Sequence, residues 1–69
     1  MLSAAVWTGG AGASDTNWTT GANWQGGVAP SAGDDLVFAA GPTQTTTNNN
    51  FAAGTSFGSI VIAGSGYTL

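Results

Sequence analysis

Three aspartates, Asp15, Asp34 and Asp35, are the only charged side chains of this sequence, which contains no Lys, Arg, His or Cys. General acid–base catalysis near neutral pH uses His, or a carboxyl or Lys tuned by burial. Asp34 and Asp35 are adjacent, so in a strand they face opposite sides. They cannot flank one bond as a glycosidase pair does. No Ser-His-Asp or Cys-His set can be assembled without His. The expectation is a protein without enzymatic activity and without a cofactor. Calcium takes oxygen ligands, and Asp15, Asn17, Asp34 and Asp35 would supply them. The simpler reading is that Asp34 caps the turn after Gly33 and that Asp35 blunts the start of a strand. No metal site is assigned.

The other residues with chemical potential are three tryptophans in a repeated setting: Trp7-Thr8-Gly9-Gly10, Asn17-Trp18-Thr19-Thr20-Gly21 and Asn23-Trp24-Gln25-Gly26-Gly27. Exposed aromatic faces stack on sugar rings, while Asn and Gln bond hydroxyls. Trp7, Trp18, Trp24, Asn17 and Asn23, with Gln25, therefore form a candidate carbohydrate- or partner-binding set. The competing and favoured reading is structural: the indoles cover one end of the apolar core and their N–H groups find backbone acceptors. Asn17-Trp18-Thr19 also fits an N-glycosylation sequon, which is read as accidental.

The elements that must position these rings are short. Sixty-nine residues allow one domain, and a domain of this size buries only roughly 60% of its unfolded surface. Without Cys there is no disulfide to help, so contacts with another copy or with the rest of a longer parent chain are expected. Without Lys or Arg, nucleic acid and anionic membrane surfaces are excluded as partners. Charged residues make up 4% of the chain, against about 25% in an ordinary domain. The surface must be Thr, Ser, Asn, Gln, Gly and Ala, which resists self-association poorly. No run reaches the ~18 apolar residues of a membrane span, so no membrane insertion is expected. Residues 1–6 are too short for a signal-peptide core. Met1 reads as an added initiator before a mature fragment rather than a native start, because Leu69 falls inside a strand-like run.

Gly and Pro interrupt every window of helical length, and the strong helix formers Glu, Lys and Arg are missing. β-branched and aromatic residues recur instead in short runs bounded by turn residues. Strands are predicted over residues 4–8, 35–39 and 59–63, with another beginning at Tyr67-Thr68-Leu69. Residues 17–27 read as compact and turn-rich. The Thr/Asn-rich segment 43–50 reads as a strand in its first half and a turn in its Asn run. Its Thr and Asn side chains would form ladders between stacked coils; the alternative is a polar, mobile loop. This pattern fits an all-β sandwich, barrel or solenoid. The tail favours the solenoid, with Phe51, Phe57, Ile60, Ile62 and Leu69 as inward rows.

The series Trp7-Thr8-Gly9-Gly10, Asn17-Trp18, Asn23-Trp24-Gln25-Gly26-Gly27, Pro30 and Gly33-Asp34-Asp35-Leu36-Val37-Phe38 resembles the opening segment of bacterial autotransporter-associated β-strand-repeat proteins. Phe57-Gly58-Ser59-Ile60-Val61-Ile62 and Gly66-Tyr67-Thr68-Leu69 are similar to the first coils that follow in that group. The resemblance implies a secreted or bacterial cell-surface protein with a right-handed parallel β-solenoid. It carries no catalytic residues, and the family's longer glycine-rich passenger repeat and translocator barrel do not occur here.

The expected fold is therefore all-β, with short strands forming the N-terminal cap and first rungs of a parallel β-solenoid; a small β-sandwich is the alternative. Residues 1–69 form one β module, with a Trp/Gly-rich capping region over 1–34 and strand-rich rungs over 35–69. The expected function is structural, through assembly or adhesion, with a small carbohydrate-binding module as the rival. Ile60, Val61, Ile62, Tyr67 and Leu69, uncharged and of high β propensity, form a candidate self-association edge, leading to a dimer or a fibre.

Overall fold

The computed structural model describes residues 4–69, and the expectation about Met1 lies outside them. Strands and irregular chain make up the fold. Among the described residues the only helical segments are two short 3-10 turns, Gly21–Asn23 and Gln25–Gly27. Three strands, β1 (Ala4–Val6), β2 (Asp35–Phe38) and β3 (Ser59–Ile62), make a sheet in that spatial order. Both pairings are parallel: Ala5 lies beside Leu36 and Leu36 beside Ile60, while Phe38 lies beside Ile62. The sandwich alternative is not what forms. The described strands belong to one all-parallel sheet rather than to two packed ones.

β2 is the central strand, and its alternation decides which face becomes core. Leu36 and Phe38 are fully buried, whereas Asp35 and Val37 are half-buried on the other face, as the two-residue side-chain period requires. The strand ends at Phe38, whose carbonyl accepts from both Ala63 N (3.0 Å) and Gly64 N (3.2 Å). Alanine is common here but carries little apolar area, so the core is built from rings. Trp7, Trp18 and Trp24 join Leu36 and Phe38 at its centre. Each large ring brings about 4–6 kcal/mol of transfer free energy before conformational entropy is set against it.

Two expectations are corrected. The predicted strand in the first half of residues 43–50 reduces to one isolated parallel bridge, Thr46 with Thr68, and the Asn run carries another, Asn48 with Asn17. Local side-chain bonds compete with the ladder there: Gln44 Oε1 accepts from Thr46 N and Asn49 Oδ1 from Phe51 N, each at 3.2 Å. Residues 67–69 likewise pair only at Thr68. The expected inward rows are also incomplete. Phe51 and Phe57 pack against the core as partly buried rings. Ile60, Ile62 and Leu69 are half exposed; among the described residues no strand pairs with the outer edge of β3, which carries Ile60 and Ile62.

Candidate functional site

The three indoles lie inside the molecule. Trp7 is 1%, Trp18 2% and Trp24 2% exposed. Phe38 is the hub between them, with ring centroids at 6.0 Å from Trp7, 5.4 Å from Trp18 and 5.8 Å from Trp24. The Trp24 ring stands edge-on to both other indoles, at 5.3 Å from Trp7 and 6.5 Å from Trp18, a favourable quadrupole arrangement. Trp7 Nε1 donates to Gln44 O at 2.9 Å and Trp24 Nε1 to Trp18 O at 2.8 Å. With no indole face open, the carbohydrate reading loses the stacking platform on which it depended.

Asn23 corrects that reading further. It is fully buried. Its Oδ1 accepts from Ala11 N (3.1 Å), and its Nδ2 donates to Asp15 O (2.9 Å) and Asn17 O (3.1 Å). Its carbonyl accepts from Thr8 N (2.7 Å) and Gly9 N (3.1 Å). One amide thus joins three stretches of the capping region, and none of these groups is left for a ligand. Asn17 is half-buried and accepts from Asn48 Nδ2 at 2.8 Å. Beside it Thr19 N donates to Asn50 Oδ1 and Asn50 Nδ2 to Thr19 Oγ1, at 3.1 and 2.8 Å. The Asn48 and Asn50 side chains therefore cross-link distant parts of the chain, as does Thr47 Oγ1, which donates to Thr68 O at 3.0 Å.

Glycine permits the close approaches in this region. Gly9 has φ +66° and lies where a Cβ would sit 2.7 Å from Gln44 Cβ, under the indole N–H bond of Trp7. The aspartates have local partners. Asp15 accepts from Asn17 N (3.1 Å) and from Thr20 Oγ1 (2.9 and 2.8 Å). Asp34 Oδ2 accepts from Ser31 N at 2.9 Å, across the turn that leads into β2. Among the described residues no group of three potential metal-ligating side chains comes together.

The proposed edge divides in two. Ile60, Val61, Ile62 and Leu69 are 48%, 50%, 49% and 50% exposed, and β3 is the last strand of the sheet. Tyr67 is half-buried against the core instead. Its ring lies 5.4 Å from Phe38 and its hydroxyl donates to Ala39 O at 2.6 Å. Burial raises its pKa above the ordinary phenol value. Sequence reasoning did not foresee Phe38 as the hub; its place in the alternation of residues 35–39 was the available signal.

Comparison with known proteins finds no matching family model, no matching curated protein and no matching solved structure.

Proposed function

We propose that this chain is a structural module of a secreted or bacterial cell-surface protein, forming the cap and first rungs of a parallel β-solenoid and acting through assembly or adhesion. The observation that carries this reading is a shared offset. Ala4 pairs with Asp35 in the sheet, and Asn17 pairs with Asn48 outside it, each 31 positions on. One stretch of chain therefore lies in register on the previous one at two separate places, as a coil stacked on a coil does. The parallel bridge of Thr46 with Thr68 extends the second set of contacts to the third coil. The Trp cluster supports a capping role by filling the space between these turns of chain with rigid apolar volume.

The experiment is a titration with soluble glycans followed by tryptophan fluorescence, alongside the thermal unfolding of Trp24→Ala. The structural reading expects no saturable change at millimolar glycan and a strongly lowered melting temperature in the variant. A saturable shift with a glycan, abolished in a variant that keeps its stability, would overturn it in favour of carbohydrate binding.

A further inference from the structure

The five asparagines of this chain, at positions 17, 23, 48, 49 and 50, differ in what their amide nitrogens do. Asn23 is fully buried and its Nδ2 donates to two carbonyls. Asn48 Nδ2 donates to Asn17 Oδ1, and Asn50 Nδ2 to Thr19 Oγ1. Asn17 uses only its Oδ1 and its main chain. Its Nδ2 has no partner among the described residues and is not enclosed, since Trp18 Nε1 is the only sealed side-chain nitrogen or oxygen there without one. Asn17 also lies on the outer side of its coil: Trp18 beside it is buried and Thr19 is exposed, as alternation requires. Its neighbours in the sequence are equally particular. A hydroxyl, Thr19, stands two residues after it and a carboxylate, Asp15, two residues before it, in Asp15-Thr16-Asn17-Trp18-Thr19. Only three acidic residues occur in the chain, so composition alone does not put one there. None of the other four asparagines has either a hydroxyl residue two positions on or an acidic residue two positions back.

We propose that Asn17 is the acceptor of an N-linked oligosaccharide, selected by a transferase that demands both the hydroxyl of Thr19 and the carboxylate of Asp15; this rests on the secreted or cell-surface reading and adds a modification to it. The donor is of the polyisoprenyl pyrophosphate-linked oligosaccharide class. Asn17 Nδ2 bonds to the anomeric carbon of the first sugar. The bond from that carbon to the pyrophosphate oxygen breaks, and the pyrophosphate leaves with the electron pair. One Nδ2 proton passes to a base of the transferase. The product fits the fold. Nδ2 keeps one N–H, and Oδ1 still accepts from Asn48 Nδ2 at 2.8 Å. The sugar stands on the outer side of the coil, away from the Trp cluster. The same change at Asn23 would remove one of its two donated bonds and bury the sugar. Transfer precedes the stacking of the second coil on the first. In the folded chain Asn48 N donates to Thr16 O at 2.8 Å and Trp18 N to Asn48 O at 2.9 Å, so the main chain on both sides of Asn17 is tied down. An unfolded chain in transit across a membrane has neither bond. A bulky, solubilising glycan also supplies the protection against self-association that a surface with three charges lacks.

The test is export of the full chain, behind a cleavable export signal, from a bacterium that carries a transferase of this acidic-site class and its lipid-linked oligosaccharide. The intact mass of the recovered chain should rise by one oligosaccharide, with the sugar on the fragment that holds Asn17. Asn17→Gln and Thr19→Val should each lose it. Asp15→Asn keeps an oxygen for Asn17 N and Thr20 Oγ1 to bond, removes the charge, and should lose it as well. The same chain retained in the cytoplasm should stay unmodified. An exported, soluble chain without added mass, a sugar that persists in Asn17→Gln, or full modification of Asp15→Asn would each overturn the proposal. The glycan titration and the melting of Trp24→Ala use the chain without a sugar, so the failure of the acceptor site and the failure of the module reading are told apart.

Discussion

The Trp24 indole N–H donates to Trp18 O at 2.8 Å, while the indole N–H of Trp18, equally enclosed, has no hydrogen-bond partner among the described residues. Replacing either ring by Phe removes the same atoms. Only Trp24→Phe also breaks a hydrogen bond and leaves a buried carbonyl without its donor. Trp24→Phe should therefore cost about 1–2 kcal/mol more than Trp18→Phe. Urea unfolding of the two variants checks this, and equal midpoints would deny the bond its role.

Asn23 bonds Ala11, Asp15 and Asn17 through one fully buried amide. Asn23→Asp keeps the shape but aims an acceptor at the carbonyls of Asp15 and Asn17, so it should destabilise the fold by at least about 2 kcal/mol at neutral pH. Burial raises the introduced carboxyl's folded pKa above its unfolded value. The folded state is thus favoured least above that folded pKa and recovers as pH falls below it. Unfolding at pH 3 and pH 7 should show the variant closer to the unmodified protein at pH 3.

These two residues mark what was legible in the sequence. The alternation of Asp35-Leu36-Val37-Phe38 identified a strand, and its buried face follows from the period alone. The apolar run of residues 59–63 likewise became β3. Its half-exposed state was not legible, because burial depends on what lies beside a strand and not on its own residues. Asn17, Asn23 and Asn48 look alike as letters. Asn23 is enclosed and fully bonded, whereas Asn48 is exposed and reaches Asn17 from 31 positions away. Long-range closure of that kind leaves no local signature, and neither does the bond from Trp7 Nε1 to Gln44 O.

Gly21 opens the first 3-10 turn, and a Cβ there would lie 2.5 Å from Gly27 O and 3.2 Å from Gly27 C. Both atoms are backbone, so the second turn would have to move as a body. Gly21→Ala should cost roughly 2 kcal/mol or more. Gly12→Ala is the control: it has φ +81° with nothing within 4 Å, so it pays conformational strain of about 1–2 kcal/mol without a clash. Thermal unfolding should place Gly21→Ala below Gly12→Ala, with Trp24 fluorescence shifted only in the former.

Tyr67 couples stability to alkaline pH. Its hydroxyl donates to Ala39 O at 2.6 Å, and its burial raises the phenol pKa above the unfolded value. Ionisation would remove the donated proton and set a phenolate against a carbonyl oxygen. The folded pKa is raised, so this contribution is complete below the unfolded phenol pKa of about 10. It is lost as pH rises from there through the folded value. Tyr67→Phe keeps the ring beside Phe38 but removes the hydroxyl. The variant should be less stable by about 1 kcal/mol at pH 7, and the gap should narrow above about pH 10 as the unmodified protein loses its advantage. Urea midpoints measured at pH 7 and at successive points above pH 10 check this. A gap that stayed constant across that range would show that the Tyr67 hydroxyl does not hold the segment after β3 to Ala39.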